Sequence, residues 1–231
     1  MIELKVPPDG PPEKTTMFLP EHHPSVWAET PVAHIATGTA KPDPAGEWWR
    51  GAVIYDAYGR CFCDSKADGQ GDFRRLVAGM DYLASLGVDA VRLMPVLPSP
   101  NFDLGYDVAD YYGSGPAFGT MDDFHYVGAE THVSGLKVIP DQVCSHSSHL
   151  HPWFIENAVL RGKPRVDWYD WADPRPDGGP PHNWLGRFGG FASEWNSTRK
   201  QCYLHNFLID KPDLNLHNPE VQQAIHPVMR H

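Results

Sequence analysis

The sequence predicts an α/β fold built from parallel βαβ units. Three observations carry that reading. Short β-type runs occur at 52–58 (AVIYDAY), 90–96 (AVRLMPV) and 136–143 (LKVIPDQV). Between the first two, Leu76, Met80, Leu83 and Leu86 recur at helical spacing. Between the second and third, Thr120 opens a stretch that reads as a capped helix. Parallel strands cannot be joined by a tight turn, so strands alternating with helices are the signature of parallel crossovers.

Residues 1–46 carry Pro7, Pro8, Pro11, Pro12, Pro20, Pro24, Pro31, Pro42 and Pro44. Proline fixes φ and lacks an N–H, so this density argues against helix and central strand alike and predicts an irregular extension. Residues 47–143 hold the βαβαβ pattern. Its first helix ends at Gly87, and its second runs from the Thr120 cap to about Ser134, with Gly135 as the stop. Pro140 falls inside the third strand, where it removes a ladder donor. Residues 144–213 lose periodicity: Trp153, Trp168, Trp171, Trp184 and Trp195 sit among Pro, Gly and Asp. So long an insertion is expected to be a small subdomain rather than a bare loop. In the last segment, 214–231, Asn218-Pro219-Glu220 is a helix start: a cap, proline at the first turn, and an acid against the dipole. Pro227 lies within that helix, at an expected cost of about 3 kcal/mol.

A net charge of −10 argues against nucleic acid as a partner, because phosphate binding needs a basic face. The 41% hydrophobic and 21% charged content is that of a globular chain. Met1 to Gly10 show no basic region followed by an apolar run, and no segment approaches the roughly 20 apolar residues of a membrane helix. A cytoplasmic protein without a membrane partner is therefore expected. Cys61, Cys63, Cys144 and Cys202 form no CxxC pair and read as free thiols. His146, His149, His151 and His205 lack a cysteine or carboxylate to complete a tetrahedral zinc set.

In parallel α/β barrels, chemistry sits in the loops after the strands. Those loops hold Tyr58 and Arg60, then Tyr106 and Asp107, then Asp141 and His146. Aromatic rings beside carboxylates suit a sugar, since rings cover its apolar face and carboxylates accept from its hydroxyls. Asp64, Asp68 and Asp72, with the Gln70 carbonyl, make an oxygen-rich loop suited to a hard cation such as calcium or magnesium. Lys66 stands within that loop; a protonated ammonium cannot ligate and repels the ion.

Several motifs in order, WWRGAVIYDAYGRCFCDSKADGQGD, LGVDAVRLMPVLPSPNFDLGYDVADYY, DQVCSH, HPWF, HNWLGRFGG and KPDLNLHNPEVQ, resemble glycoside hydrolase family 13, the α-amylase superfamily. The likeness spans about 48–231 and is strongest to the α-glucosidase and oligo-1,6-glucosidase branch. It implies a (β/α)8 barrel, present here as its first three strands, with a domain B inserted after strand three. It further implies a retaining mechanism on α-glucosides or malto-oligosaccharides, with an aspartate nucleophile and a glutamate acid/base on later strands than this sequence holds. The chain by itself is therefore expected not to hydrolyse. The competing class is a non-catalytic sugar-binding or interaction protein.

By the same resemblance Asp107 would hydrogen-bond the glucose and Tyr106 would stack beside it. His146 would hold the terminal hydroxymethyl, Asp141 would support an arginine near the nucleophile, and Phe188 would form an aromatic wall. Without the resemblance, Asp107 reads as a turn former, Tyr106 and Phe188 as core aromatics, and His146 as a solvated loop residue. The metal loop resembles the family's DxNxDGxGD, with Lys66 where asparagine is usual. Gly59, Cys61, Ser145 and Lys211 also depart from the family pattern.

Overall fold

A computed structural model describes residues 46–62, 71–159 and 165–230. The proline-rich extension lies outside them, apart from Gly46, and so do Asp64, Lys66, Asp68 and Gln70 of the oxygen-rich loop. Strands β1 (Ile54–Ala57), β2 (Ala90–Leu93) and β3 (Lys137–Pro140) form one parallel sheet in the order β1-β2-β3. In register, Asp56 lies beside Arg92 and Arg92 beside Ile139. All three strands are shorter than the runs that predict them. Pro95 cannot extend the β2 ladder, and Pro140 closes β3, so its absent donor falls at the strand's last position. The next residue resumes pairing: the Asp141 N–H donates to the Leu93 carbonyl at 2.8 Å.

Period-two alternation divides the sheet into two faces. Tyr55, Ala57, Val91, Leu93 and Val138 pack with the helices. That core contains Phe73, Leu76, Met80, Leu83, Phe118 and Val127. The helices are α1 (Gly59–Phe62), α2 (Phe73–Ala78), α3 (Met80–Ser85) and α4 (Met121–Val133). The expected single helix through Leu76–Leu86 is two, α2 and α3, divided at Gly79. A Cβ on Gly79 would lie 2.6 Å from the Phe62 ring, so glycine there admits the packing of α1. Helix α4 starts as expected: Thr120 accepts from the Asp123 N–H, and Asp123 in return accepts from the Thr120 N–H. The opposite face of the sheet carries Ile54, Asp56, Ala90, Arg92 and Ile139.

The segment between β3 and the last helix is a subdomain with its own antiparallel sheet, ordered β4 (Trp171–Ala172), β6 (Gln201–Leu204), β5 (Ser193–Asn196). It also contains a helix absent from the sequence reading, α5 (Pro152–Val159). His151 starts it, its Nδ1 accepting from the Trp153 N–H at 3.0 Å ahead of Pro152 in the first turn. Helix α6 (Pro219–Val228) follows, capped by Asn218, and Pro227 is its penultimate residue. Only the last turn therefore loses a donor.

The entry and exit of the insertion run side by side. Ser147 N–H donates to Pro212 O, His149 N–H to Asp210 O, and Leu214 N–H to Ser145 O. A second core, containing Val108, Tyr111, Phe154, Trp168, Tyr169, Tyr203, Val221 and Ile225, joins the insertion to α6 and to the loop after β2. Among the described residues, no helix is long and apolar enough to cross a membrane.

Candidate functional site

The loop after β2 turns sharply, with left-handed backbone at Asn101 (φ 68°), Leu104 (φ 54°) and Gly105 (φ 104°). A Cβ on Gly105 would meet the Pro95 carbonyl at 2.9 Å. Two non-glycine residues in that region must be held by their surroundings. Asp107 does the holding. It is fully buried and accepts from Ser99 Oγ at 2.7 Å, from Phe102 N at 3.0 Å and from Asp103 N at 3.1 Å. The loop's own donors thus orient its carboxylate, and since a carboxylate has roughly four acceptor sites these three bonds leave capacity for a further donor. Asp103, four residues earlier, keeps 24% of its side chain exposed.

At the carboxyl ends of the strands one guanidinium spans the sheet. Arg92 Nη1 donates to Asp56 at 2.8 Å, and Nη2 donates to Asp141. Tyr106 donates its hydroxyl to the same Asp141 oxygen at 3.0 Å. Burial pushes the Tyr106 phenol above its usual range, and its bond to the Asp141 carboxylate adds to that, so it remains a donor. Tyr58 and Arg60 brace the far side of the loop: the Tyr58 hydroxyl donates to Leu104 O at 3.5 Å, and Arg60 donates to Asn101.

His146 lies beneath this cluster, 4% exposed. Its Nε2 meets the Tyr106 carbonyl at 3.1 Å, a contact that requires the proton on Nε2; Nδ1 then accepts from Ser145 Oγ at 2.9 Å. Burial pushes its pKa down to about 4, the Lys211 ammonium adding to the effect, so the ring is neutral near pH 7. Both ring nitrogens are engaged within the protein. Phe207 packs 5.3 Å from the His146 ring, and Phe188, 66% exposed, lies 6.3 Å beyond Phe207 at the rim. The structure thus gathers Tyr106, Asp107, Asp141 and His146 at one end of the sheet and sets Phe188 at its margin.

Four further residues belong to the cluster and were not singled out as site residues: Asp56, Arg92, Asp103 and Asp213. A charged Arg92 between Val91 and Leu93 in a buried strand was a visible signal. Asp213 had none. It bridges to His146 by backbone pairing, and its Oδ2 accepts from Asn206 while Oδ1 is buried without a hydrogen-bond partner. Burial raises its pKa to about 6 against the Asn206 hydrogen bonds.

Of the expected metal ligands only Asp72 is described. It is buried and caps α2 by accepting from Arg75 N at 3.0 Å. Among the described residues no group of three or more His, Cys, Asp or Glu could hold a metal ion.

Parallel strands, an antiparallel insertion after the third, and polar residues gathered at the strands' carboxyl ends define the beginning of a (β/α)8 barrel. Residues 56–231 match the alpha amylase catalytic-domain family, and the chain belongs to that family. It is 51% identical over 188 residues to a probable α-glucosidase of Rhizobium meliloti (strain 1021), covering 81% of this chain and 34% of that protein. It is 42% identical over 184 residues to an oligo-1,6-glucosidase of Heyndrickxia coagulans, covering 80% and 33%. Among solved structures, the α-glucosyl transfer enzyme XgtA superposes with a TM-score of 0.77 at 53% identity, over 79% of this chain and 34% of that one. The chain spans about a third of the length of the curated relatives it matches, and corresponds to their N-terminal part.

Proposed function

We propose that this chain supplies the front wall of an α-glucoside pocket in a retaining α-glucosidase-type enzyme. The observation that carries the reading is the cluster of Asp103, Tyr106, Asp107, Asp141 and His146 at the carboxyl end of the parallel sheet. The kinship with α-glucosidases and oligo-1,6-glucosidases supports the substrate class, a glucosyl unit of an α-glucoside or malto-oligosaccharide. Carboxylates already oriented by Arg92 and by backbone N–H groups would accept from sugar hydroxyls without reorganising, and the Tyr106 ring offers an apolar face. Bond cleavage itself needs a nucleophile and an acid/base flanking the glucosidic bond. In this reading those groups belong to later strands of the barrel, and His146, neutral and engaged at both nitrogens, holds the site's shape rather than moving a proton. Calcium or magnesium at Asp64, Asp68, Gln70 and Asp72 is part of the same proposal.

The test is complementation. The chain is mixed with the remainder of a related barrel, from strand four onward, and hydrolysis of p-nitrophenyl α-glucoside is followed. Activity is expected from the mixture and from neither part alone. A mixture that forms a complex yet stays at the blank, or a chain that hydrolyses the substrate unaided, contradicts the reading.

A further inference from the structure

We propose that Lys211 is a positioning residue for the pocket, locking the wall contributed by the insertion against the loop that follows β2. What the pocket holds rests on the α-glucoside reading above; what Lys211 does rests on its own surroundings. Its side chain is 2% exposed, a burial that lysine tolerates only with a partner. That partner is the Asp103 carboxylate, 108 residues earlier in the chain, so one bond joins the end of the insertion to the loop after β2. The ammonium also lies 4.6 Å from the centre of the Phe207 ring and 6.0 Å from that of Tyr106. A cation held over a ring away from water attracts it more strongly than one at the surface.

The lysine's own backbone is fixed. Its N–H donates to Leu208 O at 2.9 Å, and the ladder on either side of it pairs 147–149 with 210–212. Asp103 and Phe207 thus meet at one rigid charge. Tyr106 and His146 stand next to it, each already bonded to the other's element through the Tyr106 carbonyl and the His146 ring. An ammonium in this place holds the Asp103 carboxylate in one orientation, four residues from the buried Asp107, so that its remaining acceptor capacity is available to a sugar hydroxyl.

The test uses the whole chain, with maltose as the probe and the His146 ring followed by NMR through a pH titration. Lys211→Gln is expected to weaken maltose binding about tenfold, the worth of one charge-assisted hydrogen bond. It should also raise the His146 midpoint from about 4, because a neighbouring cation is gone. Lys211→Arg, which keeps the charge, should hold binding within about threefold and leave the midpoint low. In an Asp103→Asn background, adding Lys211→Gln should have little further effect on binding, since the pair is already broken. Lys211→Gln binding maltose as well as the parent, or more tightly, overturns the proposal and makes the ammonium a plug. If the parent chain binds no maltose, the α-glucoside reading fails. The positioning role is then judged by the titration alone, and an unmoved His146 midpoint in Lys211→Gln overturns it.

Discussion

His146 and His151 are buried imidazoles, each with its pKa pushed down to about 4 chiefly by burial. Their ordinary value is 6.5, so between about 6.5 and 4 the unfolded chain binds protons that the folded chain refuses. Their contribution to stability is complete above that window and is lost as pH falls through it, roughly 3 kcal/mol for each. Asp213 acts in the opposite sense. Its pKa is raised to about 6, so the folded chain keeps a proton that the unfolded one releases, and its burial costs stability as pH rises from 3.8 to 6. Burial also raises the Asp170 carboxyl, in the same sense as Asp213, but the two imidazoles are pushed furthest, which leaves a net loss on acidification. Urea midpoints should therefore fall between pH 7 and pH 4.5, and His151→Asn, which keeps an acceptor for the Trp153 N–H, should flatten the slope. A midpoint that rises on acidification contradicts this. If Asp64, Asp68 and Asp72 hold a cation as proposed, the Lys66 ammonium within the same stretch of sequence would repel it. Calcium should then raise the melting temperature little, and Lys66→Asn should enlarge the shift; a large shift in the unaltered chain removes the role given to Lys66. Tyr106, Asp107, Asp141 and His146 were legible because aromatic and carboxylate residues stood out in loops after strands. What Asp107 and His146 bond to was not. Two aspartates four residues apart, Asp103 and Asp107, look alike in sequence, and only the turn between them buries one and leaves the other partly open.

Among the elements, α4 was legible to within a residue because its start is chemically local. Thr120 and Asp123 satisfy each other's backbone donors whatever surrounds them. Thr120→Ala should accordingly lower stability by about 1 kcal/mol in a urea titration, and Thr120→Ser should restore most of it. No loss on Thr120→Ala would mean that the capping box contributes nothing in this context. The division of α2 from α3 could not be foreseen from helical spacing, because Gly79 answers to the Phe62 ring, which arrives from a different element. Helix α5 is not legible in the sequence for a similar reason. Pro152 and His151 signal its start, but its buried residues, Phe154, Asn157 and Ala158, mix polar with apolar: Asn157 accepts from Trp171 Nε1 and Arg199 Nη1. Tertiary bonds to an asparagine leave no hydrophobic period to read. Pro227 sits in the penultimate position of α6, so its penalty falls on one turn rather than on the helix interior for which about 3 kcal/mol applies.

In the whole molecule, three parallel strands carry helices on one face and a charged triad, Asp56, Arg92 and Asp141, at the end of the other. A closed barrel buries such a face behind its remaining strands, and a polar lumen end is where barrel enzymes hold substrate. The insertion is joined to the loop after β2 through a shared core, through the pairing of 145–149 with 210–214, and through Lys211. The loop after β2, the end of β3 and the insertion thus bring the candidate site residues together within this chain, and under the proposal above they would bind the sugar without the groups that cleave the bond. The measurement that tests this most directly is a calorimetric titration of maltose into the 231-residue chain at neutral pH, beside Tyr106→Ala. The account expects saturable binding by the parent and a loss of at least about tenfold in the variant, which removes both the ring and the hydrogen bond to Asp141. No binding by the parent, or binding undiminished in Tyr106→Ala, would contradict it.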